Sequence, residues 1–536
     1  MRSIIFLPIT MILIMDSCVQ KEKPNIILIL TDDQAYTAVG CYGNKQIKTP
    51  NIDKLAYQGI RFNNHYNTTS ICMASRASIM TGMYEYKTGC NFMHGALSAD
   101  KFSLSYPELL QKEGYRTGFA GKFGFAVTPE PTDNVDHKTY DRLPVEEFDW
   151  WAGGTDQTYY ETSKNKYIAK YAEEFPHSSR AYGAAARDFI RESVKQEKPF
   201  CLSVSFKAPH MPFTPDPVFD TVYQNIIFNK PVNYGRENAR HLAIQAKLGR
   251  QYLRFFELHK WDPENYQETI RKYFQLIYGA DYAIGMITEE LKKQGIDDNT
   301  IIIFTSDNGY FCGSHGFGDK VLPYEEAARA PLIIYDPRRS RSQKLRSTEA
   351  ITGNIDIAPT ILDLAGIPVP SNMDGKSLVP VLDSSEMKIR ETLPIIQAWG
   401  TAPHMALAIV TDEWKYIYWY YGNNIDPAEE LFNLEGDPFE MKNLINEEQY
   451  KETLNKMREY YDMEVQRWKE QAVPYNDYAC FGILFDRHIN FTEKEKLIPQ
   501  KFIDNYFLEL KNAEIISDPY DYKSILKQIE KDDDNL

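Results

Sequence analysis

The sequence predicts an α/β protein: a large, mostly parallel central sheet flanked by helices, followed by a smaller domain with an antiparallel sheet. Three observations point there. The apolar runs Ile26–Leu30, Phe200–Phe206 and Ile301–Phe304 read as strands buried on both faces, the environment of parallel strands. From about 235 to 292 the pattern is helical, and Tyr273–Leu291 is a long amphipathic segment that Gly295 stops. Near the end, Ile395–Trp399, Ala406–Thr411 and Trp414–Tyr420 are short runs separated by turns, as in an antiparallel sheet.

A chain of 536 residues suffices for one large and one smaller domain. Its 60 basic residues against 75 acidic ones leave a net charge of -15, and no long basic run offers a nucleic-acid surface. An acidic chain that handles an anion must build its positive field locally, inside a pocket. Residues 1–18 read as an export signal: Met1-Arg2-Ser3, an apolar stretch to Met15, then Asp16-Ser17-Cys18. Cys18 after a small residue resembles a lipoprotein processing site, so the expectation is an exported protein, periplasmic or anchored to the outer membrane of a Gram-negative cell by lipid on Cys18. The six other cysteines show no metal-type pairing, and no disulfide framework can be deduced from them.

In chain order, the first strand ends in Thr31-Asp32-Asp33, where open α/β sheets hold their ligands. Adjacent carboxylates repel, and a cation is their natural partner. Thr49-Pro50 reads as a helix start with Thr49 as cap. Asn67-Thr68-Thr69-Ser70 then leads into a helix at Cys72, with Cys72 and Arg76 four apart on one face. Unpaired N–H groups, helix dipole and guanidinium together make an anion site there. Pro107–Gly114 reads as a short helix, and the strand Tyr115–Ala120 delivers Gly121-Lys122-Phe123-Gly124. The Phe200–Phe206 strand ends in Lys207-Ala208-Pro209-His210-Met211-Pro212-Phe213, and Ile301–Ser306 ends in Asp307-Asn308-Gly309. Asp32, Asp33, Asp307 and Asn308 form a hard oxygen set without His or Cys, which favours calcium or magnesium over zinc. Gly313-Ser314-His315-Gly316 lets backbone pass close to a ligand ahead of Lys320. A linker near 383–392 opens the smaller domain, and in the last sixty residues Phe481, Phe485, Phe502, Tyr506 and Phe507 can pack onto the body.

Cys72-Met73-Ala74-Ser75-Arg76 resembles the C-x-(P/A)-x-R signature of type I sulfatases, in which the cysteine is oxidised to formylglycine by a separate maturing enzyme. Further blocks extend the resemblance over roughly residues 24–450. It implies an alkaline phosphatase-like sandwich, a catalytic domain over 24–385, a subdomain over 393–475 and an extension over 476–536. It also implies a formylglycine from Cys72 as nucleophile, with Arg76, Lys122 and Lys320 on the sulfate. Asp307 would take the nucleophile's proton and His210 would protonate the departing alcohol. The implied metal, calcium by the family's habit with magnesium possible by chemistry, would be held by Asp32, Asp33, Asp307, Asn308 and the modified Cys72. His94, His315 and His404 are candidate substrate contacts, and the implied substrate is a sulfated carbohydrate. One departure stands out: the G-K-W-H block of the family reads Gly121-Lys122-Phe123-Gly124 here, leaving His94 or His315 as replacements for the missing histidine. A phosphodiesterase or phosphonate monoester hydrolase on the same scaffold, and a catalytically inert glycan-binding homologue, remain open alternatives.

Overall fold

The computed structural model describes residues 23–500, apart from 132–141, 156, 259, 340–345, 401–403 and 421–425, together with Ile529 and Lys531. The export segment with Cys18, and Phe502, Tyr506 and Phe507, lie outside the described residues. No helix among the described residues is long and apolar enough to cross a membrane.

Eight strands make the central sheet: β1 (Asn25–Asp32), β2 (Ile60–Phe62), β3 (Arg116–Lys122), β4 (Trp150–Gly154), β5 (Phe200–Pro209), β6 (Thr300–Ser306), β7 (Leu332–Tyr335) and β8 (Arg346–Thr348). Their spatial order is β8-β2-β7-β6-β1-β5-β3-β4. All neighbours run parallel except β7, which is antiparallel to both β2 and β6. Helices cover both faces, which is why β1, β5 and β6 are fully buried and mostly apolar. On one face lie α3 (Ser178–Val194) and α4 (Tyr266–Gln294), with Ala181, Ala185, Ala280 and Ala283 in the shared core. On the other lie α2 (Cys72–Thr81) and the helix Ile357–Leu364, packed through Met73, Ala77, Ile357 and Ile361.

Register brings the strand ends together. Thr31 of β1 pairs with Ser306 of β6, and Asp32 pairs with Pro209 of β5 after a register shift. Asp32, Asp33, His210, Asp307 and Asn308 therefore emerge along one edge of the sheet. The start of α1 (Pro50–Gln58) differs from expectation. Thr49 makes no capping bond, because its hydroxyl accepts from Gly40 N and donates to Asp53. The N–H groups of Asn51 and Ile52 are instead taken by the Asp281 carboxylate of α4.

A second, antiparallel sheet is built from β9 (Leu393–Gln397), β10 (Ala406–Val410), β11 (Trp414–Trp419) and β12 (Ala428–Asn433), joined in that order. The helix α5 (Lys451–Gln471) packs on it through Tyr461 and Trp468. Short helices Tyr478–Leu484 and Phe491–Leu497 follow, with Phe481 and Phe485 in the same core.

Candidate active site

The helix α2 begins at Cys72 and is buried over its whole length, with no side chain capping its N-terminus. Unsatisfied N–H groups at a helix start favour an anion, so the sulfur of Cys72 sits in a positive local field. Around it the sheet edge supplies acids. Cys72 Sγ lies 3.2 Å from Asp32 Oδ1 and 3.8 Å from Asn308 Oδ1. Asp33 Oδ1 accepts from Asn308 Nδ2 at 2.7 Å, and Asp307 Oδ1 accepts from Asp33 N at 3.2 Å.

Three cations answer these carboxylates. Arg76, one turn along α2, donates Nε to Asp307 at 2.7 Å and Nη1 to the carbonyl of Lys122 at 2.6 Å, and also reaches Ser205. Its Nη2 is buried without a hydrogen-bond partner and lies 3.8 Å from Asp32. Lys122 pairs with Asp32 and donates to Gln157 Oε1 at 2.6 Å. Lys320 pairs with Asp33 and lies 2.8 Å from Cys72 Sγ. Three acids and three cations thus meet in an almost wholly buried group.

Burial sets the protonation of this group. It pushes Asp33 up to about 7, against Lys320, with Asp32 and Asp307 adding to the rise. Asp32 is also desolvated, yet Lys122 leads the surrounding cations in holding it well below the usual carboxylate range. Burial, reinforced by Asp32, drives the Cys72 thiol far up, so the unmodified cysteine is no thiolate nucleophile. His210 closes the ring. Its Nδ1 donates to Met211 O at 2.6 Å, since a carbonyl can only accept, which leaves Nε2 facing Asp33 Oδ2 at 3.7 Å. Burial holds this imidazole neutral.

Oxygen, sulfur and nitrogen atoms of Asp32, Asp33, Cys72 and His210 all lie within 4.8 Å of one another. A divalent cation fits this donor set: the acids are paired with ammonium groups, the kind of charge an ion supplies, and the oxygens of Asp32, Asp33, Asp307 and Asn308 are hard donors.

The structure brings together Asp32, Asp33, Cys72, Arg76, Lys122, His210, Asp307, Asn308 and Lys320. The three candidate substrate-contact histidines are engaged elsewhere. His94 is buried beneath Tyr478 and Phe481, with Nε2 on Ala398 O. His315 has Nδ1 on Asn238 O at 2.9 Å and Nε2 on Asn233 Nδ2 at 2.9 Å, so both nitrogens serve the scaffold. Neither stands in for a histidine at position 124, because packing within the body fixes each ring. His404 is buried with Nδ1 on Gln245 O at 3.2 Å. Gly124 itself has φ +89°, and a Cβ there would come within 2.5 Å of Arg76 Cδ. The missing histidine is thus accompanied by an arginine that fills its root.

Sequence reasoning missed Ser205, Gln157, Lys207 and Tyr160. Gln157 holds Lys122, and its carbonyl accepts from Lys207 Nζ at 2.9 Å. Lys207 lies over the Tyr160 ring, whose hydroxyl donates to His210 O at 2.5 Å. Lys207 and Ser205 stand in the strand that delivers His210, and their nearness to the site is a signal that alternation along β5 could have given.

A sulfatase family model matches residues 24–367, and a model of the N-sulphoglucosamine sulphohydrolase C-terminal region matches 313–467. The chain belongs to the sulfatase family. It is a sulfuric ester hydrolase of alkaline phosphatase-like fold, and its relatives cover most of its length. An N-acetylglucosamine-6-O-sulfatase of Bacteroides thetaiotaomicron is 31% identical over 490 residues, covering 80% of this chain and 84% of the relative. An arylsulfatase of Clostridium perfringens is 29% identical, over 81% and 93% of the two chains. A solved structure in complex with its substrate D-glucosamine-2-N,6-O-disulfate is 28% identical, with a TM-score of 0.68 over 85% of this chain and 100% of the other.

Proposed function

We propose that this sulfatase removes O-sulfate from a sulfated glycan, with Cys72 converted to formylglycine and calcium bound at the sheet edge. The observation that carries the reading is the closed group of Cys72, three acids, three cations and His210 at one helix N-terminus. The family's metal and aldehyde fit residues present here: Asp32, Asp33, Asp307 and Asn308 would hold the ion beside position 72. When bound, those groups supply a nucleophilic oxygen of lowered pKa.

The chain's own residues do the rest. Arg76 Nη2 is a buried donor with no partner, Lys320 Nζ lies on Cys72 and Lys122 Nζ lies on Asp32 beside it, so the three can take the sulfuryl oxygens in a largely desolvated site. Asp307, fixed by Arg76, is the base at the nucleophile's side. His210, whose Nε2 lies on the Asp33 side of the cluster, would protonate the leaving alcohol, with an anionic ester beside it favouring the imidazolium form. Lys207 and Tyr160 position the loop that carries it. The sugar reading is supported by the sugar sulfatase relatives.

The test is sulfate release from N-acetylglucosamine 6-sulfate and other sulfated sugars, against phosphate release from matched phosphate and phosphonate esters, with Cys72→Ser as control. Sulfate release abolished in Cys72→Ser supports the reading, and dominant phosphate release overturns it. A mass measurement on the tryptic peptide Phe62–Arg76 should show the aldehyde. An unmodified thiol in cells that modify other sulfatases would overturn the formylglycine assignment. We further propose export with a lipid anchor at Cys18, read from residues 1–18. Labelling with a radioactive fatty acid, lost in Cys18→Ala, is the expected outcome.

A further inference from the structure

Of the three cations around Cys72, only Lys320 stands outside a helix or strand: Arg76 belongs to α2 and Lys122 ends β3. Its Nζ nevertheless reaches Asp33 and, at 2.8 Å, Cys72 Sγ. Both chain neighbours of Lys320 have left-handed backbone, Asp319 with φ 74° and Val321 with φ 89°. Aspartate tolerates such a φ, but for a β-branched valine it is an outlier that the surroundings must hold in place.

Each neighbour has its own anchor. Asp319 is buried, its carboxylate pairs with Arg254, and Arg250 Nε lies 3.8 Å from the same oxygen. Both arginines come from one short segment, the helix Arg250–Leu253 and the residue after it. That segment also grips the backbone ahead of Lys320. Gly318 N donates to Gln251 O at 2.9 Å, and a Cβ at position 318 would meet Arg254 O at 2.6 Å. Phe311 N closes the turn by donating to Asp319 O at 3.0 Å. On the other side, Val321 is buried in a cluster with Ile71 and Ala74, which flank Cys72 at the start of α2. Trp399 packs against this cluster and carries Arg250 on its ring, with Cζ 4.3 Å from the centroid. A lysine side chain is flexible, so where its ammonium group falls depends on how its backbone is held.

We propose that Asp319, clamped by Arg254 and Arg250, is a positioning residue that sets Lys320 against the nucleophile and the sulfuryl group. The inference rests on the reading of Lys320 as a sulfate ligand. Asparagine also tolerates left-handed backbone, so Asp319→Asn removes the charge pair and keeps the turn, whereas Asp319→Ala removes both. The test titrates inorganic sulfate, in calcium-containing buffer, into the full chain carrying Cys72→Ser, with each Asp319 substitution alone and combined with Lys320→Ala. Sulfate affinity should fall about tenfold in Asp319→Ala, the effect of losing a hydrogen bond to a charged group, and by less in Asp319→Asn. Neither should lower it further once Lys320 is replaced. Arg254→Gln breaks the clamp from the other side and should match Asp319→Ala, and it decides the question where an Asp319 variant does not fold. Equal losses with Lys320 present and absent would make Asp319 scaffold alone and overturn the role. Tighter sulfate binding, which removing a negative charge near an anion gives by field alone, overturns it as well. Unchanged affinity in the Asp319 and Arg254 variants, with Lys320→Ala weakened, sinks the clamp and leaves Lys320 a sulfate ligand. If Lys320→Ala itself binds sulfate as before, that reading of Lys320 fails and the positioning role with it.

Discussion

Position 124 carries the sharpest prediction at the residue scale. In the sequence it is a histidine lost from a catalytic block. In the structure it is a left-handed glycine against the side chain of Arg76. Gly124→His should therefore not restore a stronger enzyme. The new Cβ must displace Arg76 from Asp307, Ser205 and Lys122 O, and kcat should fall by roughly 10²–10³, the usual effect of losing an oriented donor. Steady-state sulfate release measures this, and a rise in kcat would contradict it. Arg76→Lys should show a comparable loss, because an ammonium group cannot hold Asp307, Lys122 O and Ser205 together in the fork geometry of a guanidinium. His210 shows the other limit of reasoning by residue: a Pro-His-x-Pro run names the histidine, but its neutral state follows only from burial.

At the scale of elements, α1 shows how one helix can be completed by another. Its capping threonine is diverted to Gly40 and Asp53, and the acid that takes its place lies on α4, 230 residues beyond the Asn51 N–H it accepts from. Asp281→Ala should cost roughly 1–2 kcal/mol through the uncapped N–H groups, read as a lower urea midpoint at unchanged slope. Asp281→Asn should recover part of the loss, since an amide oxygen still accepts. Gly285, on the next turn of α4, leaves room for the same contact: a Cβ there would meet the Asn51 side chain at 2.9 Å. Asp281 and Gly285 therefore join α4 to the start of α1.

At the scale of the whole molecule, the antiparallel sheet meets the helix Glu325–Ala328 through a buried charge group. Lys415 of β11 lies 2.8 Å from both Glu325 Oε1 and Glu440 Oε1, all three out of water. Burial pushes Glu440 up to about 8 despite Lys415. Lys415→Met leaves two acids crowded without their cation, and the loss should be about 3–5 kcal/mol, seen as a lower thermal midpoint. Acid acts through other buried groups. Burial holds His65 down to about 3 and His404 to about 4. Each binds a proton on unfolding in the window between that value and the ordinary histidine range near 6.5, so their contribution to stability falls as pH drops through it. The slope is up to about 1.4 kcal/mol per pH unit for each. Wild type should therefore lose stability relative to His65→Gln between pH 6.5 and 4. A constant difference between the two across that range would contradict this.

Much of the architecture was legible because burial on both faces leaves a continuous apolar run, as in Ile26–Leu30 of β1 and Ile301–Phe304 of β6, and because a helix such as α4 repeats its apolar face over many turns. The acids and amide of the site were legible too, since they stand at the ends of such strands: Asp32-Asp33 at the end of β1, Asp307-Asn308 directly after β6. Cys72 and Arg76 could be paired because one helical turn separates them. What the sequence by itself determined were these local facts, together with the family that the blocks resemble. Only the tertiary structure decided which residues share a point in space: that β7 runs against its neighbours, that Asp281 caps α1, that Gln157 and Lys207 join Lys122 and His210, and that His94 and His315 do not. The physical reason is that local spacing fixes neighbours within one helix or strand, whereas contacts between elements depend on register and packing. A histidine has the same letter whether its nitrogens face a metal cluster or an asparagine in the core.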